Sequence, residues 1–174
     1  RRQTQPAVRP DGAAIDPQPA RSWHGTARDP DQHGGMRIKF ILPALTEATS
    51  PFFRPIKYSL FPPLGLATLA AYCAPSDQLT LVDEHVETLR CDDDPELVVI
   101  QVYITNAQRA YEIADVYRAR GCKVALGGLH VTALPDEAAQ HADAVCCGPG
   151  EETFPRLLAD VRAGRLQARY VAQA

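Results

Sequence analysis

The most constraining feature of this sequence is the run Leu97-Val98-Val99-Ile100-Gln101-Val102-Tyr103, which is apolar at nearly every position. A strand with one solvated face would alternate apolar and polar side chains, and this run does not. Near-continuous apolar strands are typical of the centre of a parallel sheet, where helices cover both faces. The run therefore predicts an α/β fold with this strand in the middle of the sheet.

The segments before and after this run alternate between strand and helix patterns. Short apolar strands are predicted at 37–42, 78–83, 122–126 and 143–147. Helices are predicted at 64–74, 107–120 and 135–140, with a last helix ending at Ala163, while 84–96 is either a weak short helix or a loop. This alternation, with right-handed crossovers, predicts a doubly wound five-stranded parallel sheet, flavodoxin- or Rossmann-like, with strand order 2-1-3-4-5.

The chain divides into three predicted parts. Residues 1–35 contain five of the fifteen prolines and few large apolar side chains, so they cannot bury enough surface to fold. We expect them to be a disordered arm, or an upstream extension ahead of Met36, the only methionine. Residues 36–164 are the predicted α/β domain, and residues 165–174 are predicted to be a truncated linker.

Composition excludes several classes of function. The net charge is −3 and no basic block is present, so nucleic acid is not an expected partner. No apolar run approaches the roughly 20 residues of a membrane span, so no membrane partner is expected either. The five cysteines lack C-x-x-C spacing, which favours reduced thiols of a cytoplasmic protein used as small apolar side chains. The alternative is a reactive thiol, with Cys91 as the candidate.

The unusual residues fall on loops that share one edge of the predicted sheet. Ligands of doubly wound folds bind beyond the carboxyl ends of the strands, near the point where strand order reverses. The loops that reach this edge are 43–61, 105–106, 127–132 and 148–153. The paired glycines Gly127 and Gly128 end the fourth strand, where missing side chains allow a bulky group to approach the backbone. The sequence therefore predicts a binding site at this edge.

Several familiar chemistries do not fit that edge. A dinucleotide fingerprint would place G-x-G-x-x-G directly after the first strand, and residues 43–47 contain no glycine. No phosphate-binding G-x-x-x-x-G-K-[ST] is present, and no nucleophile or acid–base pair can be named. The acidic triplet 92–94 has no calcium-loop spacing and is interpreted as a solvated turn. We therefore assign no catalytic and no metal-binding residue.

An ordered set of motifs resembles the cobalamin-binding domain found in front of radical-SAM enzymes. The first is Phe61-Pro62-Pro63-Leu64-Gly65-Leu66-Ala67-Thr68-Leu69-Ala70-Ala71-Tyr72. It is followed by Val82-Asp83-Glu84, Leu126-Gly127-Gly128-Leu129-His130-Val131-Thr132, His141-Ala142-Asp143-Ala144-Val145 and Gly148-Pro149-Gly150-Glu151-Glu152-Thr153. The last segment has Pro149 where the family usually has an acid. The resemblance covers about residues 36–164.

The resemblance implies a cobalamin whose corrin ring lies over the carboxyl edge of the sheet. Its dimethylbenzimidazole tail would enter a slot beside the fourth strand, which a side chain at Gly127 or Gly128 would fill. The last helix's N-terminus suits a ligand phosphate or amide oxygens. The implied cofactor contacts are Thr105, Asn106, Gly127, Gly128, His130, Thr132, Gly148, Gly150 and Glu151.

The sequence departs from related families in two ways. Nothing after Leu42 matches the D-x-H-x-x-G whose histidine ligates cobalt in cobalamin-dependent mutases; radical-SAM-associated domains commonly lack it. The chain also lacks the three-cysteine motif that binds an iron–sulfur cluster. The expected function is therefore cobalamin binding as a module, not catalytic alone, with a radical-SAM domain or subunit as partner. The alternative is a flavodoxin-like protein-interaction domain with a decayed ligand site; an independent enzyme has the least support.

Overall fold

The structure, a computed structural model, describes residues 35–45 and 63–173. These residues form a parallel sheet of six strands in the order β2-β1-β3-β4-β5-β6. The strands are Arg37–Leu42 (β1), Gln78–Asp83 (β2), Leu97–Gln101 (β3), Lys123–Gly127 (β4), Ala144–Cys147 (β5) and Arg169–Val171 (β6). The helices are Leu64–Ala70 (α1), Ala107–Ala119 (α2), Leu129–Ala133 (α3), Pro135–Ala138 (α4) and Gly150–Arg162 (α5). The predicted doubly wound fold and the order 2-1-3-4-5 are confirmed.

The central strand β3 is buried on both faces, as its composition predicts. Val98 and Ile100 pack in one core together with residues of α2, α3 and α4. Leu97 and Val99 point to the opposite face, into a second core formed with α1 and α5. All four side chains are at most 5% exposed. The two cores fix the helices on either side of the sheet, so the carboxyl edge is framed by α1 and α5 on one face and by α2, α3 and α4 on the other.

The sixth strand lies within the predicted linker. Residues 169–171 pair with β5 and place the ring of Tyr170 in the core, 1% exposed. The Tyr170 hydroxyl donates to Asp160 Oδ2 at 3.1 Å and accepts from the N–H of Gln167 at 3.0 Å. Three residues are too few to show a strand periodicity, which is why the sequence did not reveal this strand.

Two further elements differ from their predictions. Residues 129–133, expected in a loop, form the short helix α3, and α5 begins at Gly150, inside another expected loop. Helix α1 ends at Ala70, before the expected Ala74, because the chain closes in turns at residues 71–73.

Residues 84–96 contain no helix and run as turns and bends, so the loop alternative is correct. The buried ammonium of Lys39 on β1 holds this segment, donating to the Arg90 carbonyl at 2.8 Å and to Asp93 Oδ2 at 2.7 Å. The predicted arm, except Gly35, and most of the loop 43–61 lie outside the described residues.

Candidate functional site

A cavity of about 470 Å³ opens at the carboxyl edge of the sheet, on the face covered by α1 and α5. Its floor is formed by the ends of β3, β4 and β5, and its walls by the two helices together with Leu129 and Thr132 of α3. Among the described residues its lining includes Gly65, Leu66 and Leu69 of α1, Val99 and Gln101 of β3, Ala125 and Gly127 of β4, Cys146 of β5, and Gly150, Glu151, Thr153 and Phe154 of α5. The volume lies within the usual range of small-molecule sites.

Gly127 ends β4 and Gly128 follows it directly. The two positions lack a side chain for different structural reasons. A Cβ on Gly127 would point toward the cavity and meet only Cys146 Cβ at 3.5 Å and Cys146 O at 3.8 Å, which are ordinary contacts. Gly128 instead has a φ of +116°, and a Cβ there would lie 2.6 Å from the Val102 carbonyl oxygen. Gly127 therefore keeps the cavity open, whereas Gly128 lets the chain turn against β3. The expectation that both glycines clear the slot needs this correction at Gly128.

The cavity is mostly apolar. Leu66 is 2% exposed and Phe154 is 2% exposed, and both lie in the core beneath the opening. Cys146 is the thiol on this wall, and burial raises its pKa to about 11, so it stays protonated at neutral pH. Such walls suit the flat, uncharged part of a ligand and disfavour a free charge.

One amide side chain interrupts this apolar lining. Gln101 ends β3, and its Nε2 donates to the hydroxyl oxygen of Tyr103 at 2.7 Å. Both residues line the cavity. A Cβ on Gly65 of α1 would lie 3.2 Å from Nε2 and 3.7 Å from Oε1, so the amide packs against α1 at a position where a side chain would crowd it.

The entrance on the β5 side is built by the turn into α5. Gly148 has a φ of +91°, a conformation that favours glycine, and Gly150 and Glu151 form the first turn of the helix. The N–H groups of Glu152 and Thr153 turn back to the Pro149 carbonyl. Those of Gly150 and Glu151 have no backbone acceptor among the described residues, so this helix start can donate to an anionic or carbonyl oxygen.

Thr132 joins the two glycine turns that border the cavity. Its hydroxyl donates to the Gly128 carbonyl at 3.0 Å and accepts from the N–H of Gly148 at 3.0 Å. The residue also lines the cavity. Since both hydrogen bonds are made within the protein, Thr132 holds the turns after β4 and β5 at a fixed separation.

Six of the nine predicted contact residues meet at this cavity, and three do not. Gly127, Gly128, Thr132, Gly148, Gly150 and Glu151 line it, whereas Thr105, Asn106 and His130 do not. Asn106 is 1% exposed, and its amide accepts from the N–H of Tyr103 at 2.8 Å and donates to the Pro43 carbonyl at 3.0 Å. It therefore ties the exit of β1 to that of β3.

His130 lies with groups on the opposite face of the sheet. Its Nε2 is 3.2 Å from Glu137 Oε1, which also accepts from the Tyr111 hydroxyl at 3.0 Å. The Tyr111 ring stacks on His141 with centroids 4.4 Å apart. Hydrogen bonds from His130 first, and then from Tyr111, lower the pKa of the exposed Glu137 carboxyl. This cluster fastens α2, α3 and α4 together and does not reach the cavity.

The described residues contain no group of three or more histidine, cysteine, aspartate or glutamate side chains arranged to hold a metal ion. Among the same residues, no helix combines the length and apolar character that crossing a membrane requires.

The fold and cavity define a class of protein: a doubly wound α/β domain with an open cavity at the carboxyl edge of its sheet. The family follows from sequence comparison. Residues 58–158 match the family model of the B12 binding domain. The chain belongs to this family, and its cofactor is cobalamin.

Similar curated proteins are methyltransferases. The chain is 42% identical over 108 residues to "Bacteriochlorophyllide d C-8(2)-methyltransferase" of Chlorobaculum tepidum, covering 62% of this chain and 24% of that protein. It is 33% identical over 112 residues to "Bacteriochlorophyllide d C-12(1)-methyltransferase" of the same organism, covering 63% and 25%. An uncharacterized methyltransferase of Pyrococcus horikoshii is 29% identical over 143 residues, covering 75% of this chain and 30% of its own. The chain thus spans about a quarter of the length of the first two.

The structure fits a cobalamin at two points. A side chain at Gly127 would occupy space at the edge of the cavity, which the glycine leaves empty. The apolar cavity behind Gly127 suits a flat heterocycle. Sequence reasoning found the glycine turns but missed the walls at Leu66, Leu69 and Phe154. The period-two alternation back from Gly127 to Ala125 could have shown which face of β4 the cavity occupies.

Proposed function

We propose that this chain carries cobalamin for a methyl-transferring catalytic domain or subunit of the radical-SAM type. The observation that carries the proposal is the apolar cavity behind Gly127, at the edge where this fold binds ligands. Cobalamin supplies, when bound, a cobalt centre that can accept and donate a methyl group. The chain's own part is to bind, orient and shield the cofactor.

The nucleotide tail is assigned to the cavity. Gly127 leaves the entrance open, and the side chains of Leu66 and Phe154 exclude water from the flat base. The N–H groups of Gly150 and Glu151, which have no backbone acceptor in the described part of the chain, lie where they can donate to the phosphate or amide oxygens of the ligand. Thr132 keeps the two glycine turns in place around it.

The partner is inferred from two observations. The similar proteins are named as methyltransferases, and this chain covers only about a quarter of the first two. The ordered motifs resemble the domain that precedes radical-SAM enzymes, while no C-x-x-x-C-x-x-C occurs among the five cysteines of the chain. Iron–sulfur chemistry would therefore come from outside these 174 residues.

Cofactor retention tests the tail position. Purified full chain is incubated with hydroxocobalamin, desalted, and its corrin absorption measured against protein concentration. We expect near-stoichiometric retention for the natural sequence and loss of retention for Gly127→Leu, whose side chain would enter the cavity from an ordinary backbone conformation. Ala119→Leu, on the exposed side of α2, is the matched control and should retain the cofactor. Retention by folded Gly127→Leu would refute the tail assignment.

The proposed partner is tested by binding and by methyl transfer. A radical-SAM reading frame directly downstream, or in the same operon, should encode a protein that carries the cluster motif. That protein, after reconstitution of its cluster, should bind the cobalamin-loaded chain in a pull-down and should transfer a methyl group only when the chain is present. Equal transfer without the chain would exclude the proposed partnership and favour a separate protein-interaction role.

A further inference from the structure

Among the described residues that line the cavity, Gln101 carries an amide with unused hydrogen-bonding capacity. One N–H donates to Tyr103 at 2.7 Å, and the described residues offer no partner for the other N–H or for Oε1. Oε1 is also not sealed off, since no buried side-chain oxygen or nitrogen of the described residues lacks a partner. The amide therefore presents one donor and one acceptor to whatever occupies the cavity.

Two neighbours determine how this amide is presented. The Tyr103 hydroxyl accepts the first N–H and so fixes the plane in which the remaining donor and acceptor lie. On α1, Gly65 lies directly beside the amide, since a Cβ there would be 3.2 Å from Nε2 and 3.7 Å from Oε1. A side chain at that position would crowd the amide and displace it. The amide is therefore oriented by Tyr103 and packed on Gly65, and its unpaired groups face the cavity that Gln101 and Tyr103 line.

We propose that Gln101, oriented by Tyr103, recognises the edge of the nucleotide base and selects corrinoids that carry an aminopurine over cobalamin itself. The proposal rests on the tail position proposed above. An adenine presents an amino group beside a ring nitrogen, and glutamine pairs with such an edge through two hydrogen bonds. Dimethylbenzimidazole offers a single ring nitrogen and no donor, so Oε1 would be left unpaired on burial. The chain binds both ligands, with the aminopurine form held more tightly.

The experiment compares dissociation constants by equilibrium dialysis of the full chain. The ligands are cobalamin, the corrinoid with adenine in place of dimethylbenzimidazole, and cobinamide, which lacks the nucleotide. All are used in their dicyano forms, so that the base is not bound to cobalt. We expect the adenine form to bind on the order of tenfold more tightly than cobalamin, as one added bidentate contact provides. Cobinamide should bind more weakly than either.

Two variants test whether Gln101 and Tyr103 cause the preference for the adenine form. Gln101→Leu keeps the size of the side chain without its amide and should bring the ratio of the two dissociation constants close to one, mainly by weakening the adenine form. Tyr103→Phe should reduce the ratio less, since the amide is retained but no longer oriented. Thermal unfolding followed by circular dichroism checks that both variants are folded.

The outcomes separate this inference from the proposed function. Equal binding of adenine and dimethylbenzimidazole forms, both tighter than cobinamide, would overturn the selectivity while leaving the tail position intact. A preference that survives in folded Gln101→Leu would also overturn it. Binding of all three ligands with the same affinity would refute the tail position itself, and the selectivity with it.

Discussion

The carboxyl edge of the sheet is open on one face and filled by packed side chains on the other. On the face of α1 and α5, the edge opens into a cavity of about 470 Å³ behind Gly127. On the face of α2, α3 and α4, the corresponding space is filled, since Val102 and Val131 are fully buried and His130 is engaged with Glu137. The same strands thus provide a closed face that determines stability and an open face that is available to a ligand.

The contrast is sharpest at Gly127 and Gly128, which lie next to each other. The backbone has room for a side chain at Gly127, where it would border the cavity, whereas at Gly128 the backbone itself requires glycine. Adjacent glycines in a motif can therefore have unrelated roles. The following predictions test this division.

The largest effect is expected at the backbone glycine. Gly128→Ala should lower the free energy of unfolding by about 3 kcal/mol, because a Cβ would lie 2.6 Å from the Val102 carbonyl in a conformation that disfavours side chains. Gly127→Ala should change it by less than about 1 kcal/mol. Urea unfolding curves of the two variants make the comparison. Equal losses at both positions would show that Gly127 is also a backbone requirement.

The next effect concerns the buried ammonium on the closed face. Lys39 is 4% exposed, and its Nζ donates to Asp93 and lies 5.4 Å from the centre of the Tyr117 ring. Asp93→Ala should cost about 2 kcal/mol, because it leaves the buried charge with only a carbonyl partner. Lys39→Met should cost less, since an apolar chain replaces the buried charge while Asp93 can reach water. A larger loss for Lys39→Met in urea unfolding would contradict this asymmetry.

The ion pair of Lys39 and Asp93 also makes the stability of the fold depend on pH. Burial alone would raise the pKa of Asp93, but hydrogen bonds from Lys39 and Tyr117 outweigh it and hold the pKa below its ordinary value of 3.8. Because the folded pKa is the lower one, the contribution of Asp93 is complete above the unfolded pKa. It declines as the pH falls below 3.8 and is lost below the folded pKa. Unfolding measured from pH 7 to pH 3 should show a smaller decline for Asp93→Ala than for the natural sequence.

A smaller effect is expected at Thr132, which joins the turns after β4 and β5. Thr132→Val removes the hydrogen bonds to Gly128 and Gly148 and should cost about 1 kcal/mol of stability. It should also weaken cobalamin binding, because the turns bordering the cavity are no longer held together. Thr132→Ser keeps the hydroxyl and should restore both properties. Loss of stability with unchanged cobalamin affinity would limit Thr132 to a purely structural role.

The smallest effect on binding is expected at His130. His130→Gln removes its contact with the Tyr111 ring but lies outside the cavity, so cobalamin affinity should not change. Its loss of stability should be smaller than that of Thr132→Val, because Glu137 remains exposed to water. Equilibrium dialysis with cobalamin provides the measurement. A clear drop in affinity would show that the closed face contributes to the ligand site after all.

Much of the fold was predictable because its signals are local. The apolar run of β3 and the alternation around it predict the doubly wound sheet, and glycines at strand ends indicate its ligand edge. The elements that escaped prediction are short: β6 has three residues and α3 has five. Such elements form because neighbouring strands and helices support them, and no periodicity in so few residues can reveal this.

The site was predictable in outline and not in detail. Residues on the turns after β4 and β5 were found, because glycine and threonine stand out beside apolar strands. The wall residues Leu66, Leu69 and Phe154 were not, because an apolar side chain that lines a cavity looks like one in a core. Asn106 and His130 were selected for their chemistry, yet their polar atoms are used within the protein.

The sequence by itself determined the class of fold, the edge of the sheet at which the cavity opens and the family, because these depend on residue patterns along the chain. Only the tertiary structure decided which face of that edge is open. It also separated Gly127, which lines the cavity, from Gly128, which the backbone requires, and it packed the amide of Gln101 against Gly65 at the cavity wall. The physical reason is that an empty space is a property of several packed elements, and no single segment of the chain specifies it.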